Sequence, residues 1–377
     1  MTLHKVNYFF LIFLLFGCSQ VNSSEGGERL NDPDNPNPDW LISIDEVVDG
    51  GPGKNGIPSI DNPKFAPAHE IDFIDNERLV IGIKVGDEIK AYPHQILDWH
   101  EVVNDQVGED YFSLTYCPLT GTGVTWNRKI DGEITTFGVS GLLYRNNLIA
   151  YDRKTDTYWS QMQMRAVNGP LIGKFADTDY PLIETTWATW KQMYPDSQVL
   201  TTETGYGRNY SGYAYGEDYL SGDTGTLFPI TNENNRLPNK TLVHAYLSEK
   251  ATNQDIGVRV FVKEDFPENI TVFNENYEGN LIVAAGSSKY DFIVSYYSML
   301  GDDTILDFTA IHDKLPVIMK DQEGNEWNVF GEAVSGPRKG EQLTPTESYN
   351  GYWFAISDFF PTACIYPSIG CKGFVDK

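Results

Sequence analysis

The sequence predicts a mainly β fold with a few short helices, arranged as two related tandem units that pack into one mature body. Three observations support this prediction. Strand and hairpin patterns dominate from residue 79 onward, helical patterns are few and short, and two sequence blocks recur in the same order. The composition, with 41% hydrophobic and 13% aromatic residues, is that of a globular chain with enough apolar side chains to bury a core.

Three β-hairpins are predicted in the first half of the chain. Two strand-like runs surround Gly86-Asp87, and two more surround Asp131-Gly132. Such pairs favour the tight turns that join antiparallel strands, because their residues tolerate positive φ. The segment "NLIAYDRKTDTYWSQ", residues 147–161, has the pattern of a third hairpin.

The segment "PHQILDWHEVVND" predicts a short helix. Pro93 suits a helix start, and Ile96, Leu97, His100 and Val103 share one face at the helical period. His100 is therefore expected on the apolar side of this helix. A second helix is predicted in "TTWATWKQMYP", which ends at a proline.

Two sequence blocks recur. The first is "TYWSQMQMRAVNGPLIG", which resembles "NEWNVFGEAVSGPRKG", so that Trp159 corresponds to Trp327. The second is "TTWATWKQMYPDSQVL", which resembles "NGYWFAISDFFPTACIY", so that Trp187 corresponds to Trp353. Recurrence in the same order indicates a duplicated unit of domain size. Five parts are predicted. Residues 1–17 are a signal peptide, and residues 18–40 are a flexible tether. Residues 57–204 form a first unit that carries the site, residues 205–241 a Gly- and Tyr-rich connector, and residues 242–377 a second, degenerate unit.

The N-terminus has the features of a bacterial lipoprotein signal. One lysine precedes the apolar run of residues 8–16, which is too short to span a bilayer and fits a secretory signal. The following Gly17-Cys18 resembles the end of a lipobox, in which the cysteine is lipidated, so Cys18 is the predicted lipidation site. We expect a protein of the cell envelope that is lipid-anchored at the outer membrane, with a periplasmic and a surface-facing orientation both open.

The net charge limits the partners. The chain has 28 basic and 53 acidic residues, which gives a formal charge of −25. A surface this acidic repels nucleic-acid phosphates and anionic lipid headgroups. We therefore expect no nucleic-acid partner and membrane attachment through the N-terminal lipid only, while a small-molecule or glycan ligand is left open.

Three cysteines lie beyond the predicted lipidation site. Cys364 and Cys371 flank a turn with proline and glycine, so a disulfide between them is predicted for the oxidising envelope. Cys117 is then an unpaired thiol. The second unit aligns Ala285 or a neighbouring small residue with Cys117, and it has no histidine that corresponds to His100. The pair is thus expected to serve function rather than folding.

Four segments together resemble a known family. "AYPHQILDWHEVVND", "TYCPLTGT", "FGVSGLLYRNNLIAYDRKTDTYWSQ" and "GPLIG", in this order, are similar to a bacterial and archaeal domain of unknown function. The resemblance covers residues 57–240 well and the remainder weakly. It implies an exported, often lipid-anchored protein without an established activity. Many members have a second cysteine where this chain has Thr120, so dithiol cycling is not implied here.

Three hypotheses for the site are open. In the first, which we prefer, Cys117 and His100 bind a metal, copper or zinc, or support redox chemistry. In the second, His100 lowers the pKa of Cys117, and the thiolate attacks an electrophile as in a hydrolase or transferase. In the third, the protein is a non-catalytic module that binds glycan or protein. Further candidates for a pocket around the pair are Glu101, Tyr144, Asp152 and Arg153.

Overall fold

The computed structural model describes residues 40–178, 180–220, 225–250 and 256–367. Among these residues the fold is mainly β with four short helices, which confirms the predicted fold class. No helix in these ranges is long and apolar enough to cross a membrane. The predicted signal peptide and Cys18 lie outside the described residues.

The strands fall into two halves, separated by the connector. Those of the first half are β1 Val47–Asp49, β2 Phe65–Pro67, β3 Leu79–Val85, β4 Glu88–Pro93, β5 Val102–Val107, β6 Asp110–Cys117, β7 Thr122–Asn127, β8 Lys129–Ile130, β9 Glu133–Ile134, β10 Phe137–Tyr144, β11 Asn147–Asp152, β12 Tyr158–Ser160, β13 Arg165–Asn168, β14 Leu182–Thr186 and β15 Gln198–Leu200.

The second half has its own set of strands, and the helices are spread over the chain. The strands are β16 Leu242–Leu247, β17 Val258–Val262, β18 Thr271–Tyr277, β19 Asn280–Ser287, β20 Phe292–Tyr297, β21 Phe308–Ala310, β22 Val317–Asp321, β23 Glu326–Asn328, β24 Ala333–Ser335, β25 Ser348–Tyr352 and β26 Cys364–Ile365. The helices are α1 His94–His100, α2 Trp187–Met193, α3 Glu217–Leu220 and α4 Trp353–Phe359.

The three predicted hairpins are confirmed. β3 pairs with β4 across Gly86-Asp87, β8 pairs with β9 across Asp131-Gly132, and β11 pairs with β12. Gly86 has φ of 58°, and Asp131 and Gly132 have φ of 52° and 83°. The turns therefore use the positive φ for which these residue types are suited.

Both predicted helices form, but the first is shorter than its sequence pattern. α1 ends at His100, so Val103 does not belong to its apolar face and lies in β5 instead. The reason is the next residue, Glu101, which takes a left-handed conformation with φ of 56° and ψ of −25°. Its N–H donates to the carbonyl of Leu97 at 2.8 Å, which closes the helix and turns the chain into β5.

The sheets of the two halves have matching strand orders. The first half contains the order β14-β3-β4-β15, and the second contains β25-β16-β17-β26. In each set the first three strands are antiparallel, and the last strand is parallel to its neighbour. The meander β5-β6-β7 likewise has the same order as β18-β19-β20. This agreement provides a way to compare residues of the two halves by their position in a strand.

The two halves pack on each other. The largest apolar cluster combines Trp126 and Trp159 of the first half with Val243 and Trp353 of the second. β7 contacts β25, and β14 contacts β20, so each half places an edge strand against the three-stranded sheet of the other. Residues of both halves line a cleft at this boundary.

The close packing of Trp190 on Gly82 generates a stability prediction. A Cβ at Gly82 would lie 1.8 Å from Trp190 Cζ3, and the indole is held by a hydrogen bond to Ser197. We expect Gly82→Ala to lower the free energy of unfolding by about 2 kcal/mol, because the ring has to move out of a packed core. Urea denaturation measures this change. Gly207→Ala is the control, since nothing lies within 4 Å of its added Cβ; equal stability of the two variants would contradict the prediction.

Candidate functional site

Cys117 is the last residue of β6 and lies where the β6–β7 hairpin turns. It pairs with Thr122 across the turn, and Gly121 supplies the positive φ of 64° that the turn requires. The cysteine is 1% exposed. Its sulfur lies 3.7 Å from the carbonyl oxygen of Asn146. The candidate site is therefore interior to the protein.

The segment "YFSLTYC" alternates in the sequence, which predicts that Cys117 and Thr115 face away from Tyr116, and β6 confirms this alternation. Phe112, Leu114 and Tyr116 belong to one apolar cluster, and Cys117 belongs to another on the opposite face. Thr115, two residues before the cysteine, shares its face. The hydroxyl of Thr115 donates to the carbonyl of Val124 at 2.9 Å. This face of β6 carries the candidate residues Thr115 and Cys117.

A buried polar network lies beside the cysteine. Gln161 donates to Thr115 at 3.1 Å and accepts from the Thr122 hydroxyl at 2.8 Å. Asn147 donates to Gln161 at 2.7 Å and to Thr120 at 2.9 Å. All five side chains are at most 1% exposed. Thr120 also hydrogen-bonds the Cys117 side chain, so the network reaches the sulfur.

Glu101 is the charged group that acts electrostatically on Cys117. Its left-handed backbone ends α1, and its carbonyl accepts from the N–H of Tyr116 at 2.7 Å, which holds it against the end of β6. The side chain is buried and accepts from the hydroxyl of Tyr215 at 2.8 Å. Burial raises the pKa of Glu101 to about 7, and the negative charge of Asp98 acts in the same direction.

The thiol of Cys117 is protonated at neutral pH. Burial raises the pKa of Cys117 to about 11, and the charge of Glu101 acts in the same direction, although hydrogen bonds from Thr120 and Leu148 act in the opposite direction. The second hypothesis required a thiol pKa lowered by His100. The direction found here is opposite, because a buried thiolate is poorly solvated.

His100 is buried on the apolar side of α1, as predicted, but its ring nitrogens have other partners. Nδ1 lies 2.7 Å from the carbonyl oxygen of Pro58, and Nε2 lies 2.7 Å from the hydroxyl of Tyr210. Burial lowers the pKa of His100. Within the described ranges, no hydrogen bond or ion pair joins His100 to Cys117.

Three tyrosines of the connector cover the cysteine. Tyr213 donates to the carbonyl of Pro118 at 3.0 Å, and Tyr219 donates to the carbonyl of Leu119 at 2.7 Å. Tyr215 packs beside both rings, with centroid distances of 6.0 and 6.5 Å, and donates to Glu101. Burial raises the pKa of all three phenols, so they remain neutral donors. The sequence indicated a Tyr-rich connector, but only the fold brings it onto the β6–β7 turn.

The other predicted pocket residues lie in separate contacts. Tyr144 packs on Phe359 with ring centroids 5.2 Å apart. Asp152 accepts from Trp159 Nε1 at 3.2 Å and from the backbone of the following turn. Arg153 forms an ion pair with Asp61 at 3.0 Å. Of the four candidates, Glu101 is the one that acts on Cys117.

Two further expectations concern cysteines and metals. Cys364 is disulfide-bonded, while its predicted partner Cys371 lies outside the described residues, so the pairing stays a prediction. In the part of the chain that the structure describes, no three His, Cys, Asp or Glu side chains are grouped so that they could hold a metal ion. The metal site at Cys117 and His100 stays a prediction.

Comparison with known proteins identifies a family. A family model described as "Protein of unknown function (DUF3179)" matches residues 54–363. The match confirms the resemblance to a domain of unknown function and extends it through most of the second half. No curated protein and no solved structure matches the chain. The function therefore has to be argued from the site.

The raised pKa of Glu101 predicts a pH-dependent stability difference. Its folded pKa of about 7 lies above the ordinary value of 4.5, so the favourable contribution of the protonated group is complete below pH 4.5 and is lost as the pH rises through about 7. The amide introduced by Glu101→Gln cannot titrate. We expect the unfolding free energy of the wild type, relative to this variant, to fall by about 3 kcal/mol between pH 4.5 and pH 8.

Denaturant unfolding at several pH values measures this difference. Glu109→Gln is the matched control, because that side chain is exposed in the β5–β6 turn and its replacement should change stability little at any pH. If the difference in unfolding free energy between the wild type and Glu101→Gln stays constant with pH, Glu101 titrates in the folded chain as it does in solvent, and the prediction is wrong.

Proposed function

Because the chain belongs to the family described as "Protein of unknown function (DUF3179)", we propose its function from its own residues: it is a lipid-anchored envelope protein in which the Cys117 thiol attacks an electrophile and Glu101 accepts the thiol proton. The observation that carries this proposal is the burial of a carboxyl group with a pKa of about 7 beside a buried thiol. Strongly perturbed groups of this kind concentrate at functional sites.

Glu101 is better suited than His100 to act as the base. A general base works best when its pKa is close to the operating pH, and burial gives the Glu101 carboxyl such a value. The two ring nitrogens of His100 are engaged by Pro58 and Tyr210. His100 then has a structural part, since it ties α1 to the connector.

The reaction begins with transfer of the thiol proton to the Glu101 carboxylate. The sulfur forms a bond to the electrophilic carbon of the substrate, and the leaving group departs with the proton that Glu101 returns. Hydrogen bonds from Thr120 and from the Leu148 backbone stabilise negative charge on the sulfur during this step. Water then releases the product from the cysteine in a hydrolase, or a second acceptor does so in a transferase.

A strained backbone supports a functional part for Glu101. Non-glycine residues seldom adopt positive φ, and the conformation costs about 1 kcal/mol or more. Asn or Gly in its place would end α1 with less strain. Glu101 instead has φ of 56° and places a carboxyl group in the interior.

Comparison of the two halves gives independent support. We treat them as copies of one unit, since their sheets have the same order and direction. Thr115, the sixth residue of β6, then corresponds to Ala285, the sixth residue of β19; Thr122, the first residue of β7, corresponds to Phe292. The second half folds with apolar residues at these positions. This difference supports a role for the polar network of the first half beside the cysteine.

Access to the sulfur requires movement of the connector. Tyr213 and Tyr219 are 9% and 2% exposed and hold the backbone of the turn that follows Cys117. An electrophile reaches the sulfur when these two hydrogen bonds open. The same burial argues against a glycan-binding surface at these tyrosines, because a sugar would need their faces in solvent.

Alkylation of Cys117 tests the base directly. We expect a small neutral electrophile, iodoacetamide, to modify Cys117 in the folded chain, and Glu101→Gln to slow this reaction by about a hundredfold near pH 8, because the proton acceptor is lost. Mass spectrometry of the labelled peptide gives the rate. Cys117→Ala should take up no label at this position, and Glu109→Gln should react like the wild type.

Three other results would oppose the proposal. Faster labelling of Glu101→Gln would mean that the carboxylate only repels the thiolate and is not its base. Stoichiometric copper or zinc in protein purified from the envelope, absent from Cys117→Ala, would favour the metal hypothesis. A folded wild type whose Cys117 never reacts would leave the non-catalytic hypothesis.

The lipid anchor has its own test. Cys18 is the lipidated residue in this proposal, so Cys18→Ser is expected to move the mature protein from the membrane fraction to the soluble fraction of the envelope. Fractionation followed by immunoblotting measures the shift. Retention of the variant in the membrane fraction at the wild-type level would mean that attachment does not depend on lipid at Cys18.

A further inference from the structure

A second polar site lies in a cleft between the two halves, separate from Cys117. The cleft has a volume of about 60 Å³, and residues of both halves line it, among them Glu184, His244, Ser295 and Asn350. This volume accommodates a few water-sized groups. His244 and Ser295 are each 5% exposed, and both face the cleft.

Hydrogen bonds join Ser295, His244 and Asn350 in a chain, which we call the relay. Ser295 Oγ lies 2.7 Å from His244 Nε2, and His244 Nδ1 lies 2.9 Å from Asn350 Oδ1. An amide oxygen only accepts, so Nδ1 carries the ring proton and Nε2 is left as the acceptor for the serine hydroxyl. This is the arrangement of a nucleophile, a base and a group that orients the base.

The strands fix this arrangement. His244 in β16 and Asn350 in β25 are direct cross-strand partners, so their side chains lie on the same face of the sheet. Ser295 projects from β20 in the neighbouring sheet. Each group is thus held by a rigid element rather than by a loop.

Glu184 orients the amide of Asn350. Burial alone would raise the pKa of Glu184, yet hydrogen bonds with His94 and Asn350 leave it lowered, so it is a carboxylate. A carboxylate accepts only, and therefore the Asn350 amide turns its NH2 group toward Glu184 and its oxygen toward His244. Glu184 comes from the first half, so the relay is completed only where the halves meet.

His244 is neutral at neutral pH. Burial lowers its pKa to about 4, so the Nε2 lone pair is available to the serine, although the imidazole is a weaker base than a group that titrates near pH 7. Ser295 Oγ also lies 2.5 Å from Thr346 Oγ1 and 3.3 Å from Ser348 Oγ. Of these three neighbours, His244 Nε2 at 2.7 Å is the basic one, so a proton that leaves Ser295 is taken up there.

The relay is confined to one half. By position in the strands, Ser295 corresponds to Thr125 and His244 corresponds to Ile81. Thr125 donates to the carbonyl of Tyr180 at 2.6 Å, an ordinary structural hydrogen bond. The fold therefore forms at the equivalent position without a histidine, which argues that the histidine of the second half has a use beyond folding.

We propose that Ser295 is the nucleophile of a Ser295–His244–Asn350 site that hydrolyses small esters in the cleft between the halves. Ser295 Oγ bonds to the carbonyl carbon while its proton passes to His244 Nε2. The ester C–O bond breaks, and the alcohol leaves with that proton. Water then attacks the acyl-serine with His244 as base, which releases a carboxylic acid and restores the serine. Asn350 and Glu184 are positioning residues.

A fluorophosphonate probe tests this site in the mature chain. It forms a stable phosphonyl ester with an activated serine, and peptide mapping locates the modified residue. We expect one labelled serine, Ser295, and no label at this position in Ser295→Ala. His244→Gln should reduce labelling of Ser295 by at least about a hundredfold, because the proton acceptor is lost. The probe should also block hydrolysis of p-nitrophenyl acetate.

Ser287→Ala is the matched control. Ser287 is also buried, at 1% exposure, but donates to the carbonyl of Glu268 and should neither react nor affect the label on Ser295. Thermal melts report whether each variant is folded, and wild-type mapping decides the question even if a variant is not. A folded wild type without label on Ser295, or equal labelling of Ser295 in His244→Gln, overturns the proposal. Cysteine alkylation is measured separately, so the proposal for Cys117 and the proposal for Ser295 can each be wrong without the other.

Discussion

The left-handed turn at Glu101 is the constraint on which the first site depends. Glu101 ends α1 and leads the chain into β5. Its carbonyl oxygen accepts from the N–H of Tyr116 at 2.7 Å, which fixes the end of β6. The same residue places its carboxyl group under Tyr215 of the connector. The helix, the strands and the connector therefore all contact the one residue at this turn. A change in its backbone conformation would displace both the Cys117 thiol and the Glu101 carboxyl group.

The sequence predicts most of what depends on local interactions. Gly86-Asp87 and Asp131-Gly132 specify their hairpins because positive φ is a property of the residues themselves. The alternation around Cys117 identifies the correct face of β6, because side chains in a strand alternate regardless of the rest of the fold. Burial of His100 follows in the same way from the helical period.

The partners of the buried groups depend on tertiary structure and could not be predicted. The sequence suggests His100 as the partner of Cys117, since both lie on inner faces. Glu101 is one of four pocket candidates in the sequence, and its contact with the cysteine site is not apparent there, because a glutamate in a left-handed conformation at a helix end has no simple sequence signature. Ser295, His244 and Asn350 were missed, since their strands are up to 106 residues apart and no local motif links them.

The two halves carry different side chains at equivalent positions of their sheets. Cys117, the last residue of β6, has Ser287 as its positional counterpart in β19, and Glu184 in β14 has Asn350 in β25. Glu184 and Asn350 nevertheless contact each other across the boundary. A scaffold of two similar halves thus offers two distinct polar environments, one inside the first half and one created only by the contact between the halves.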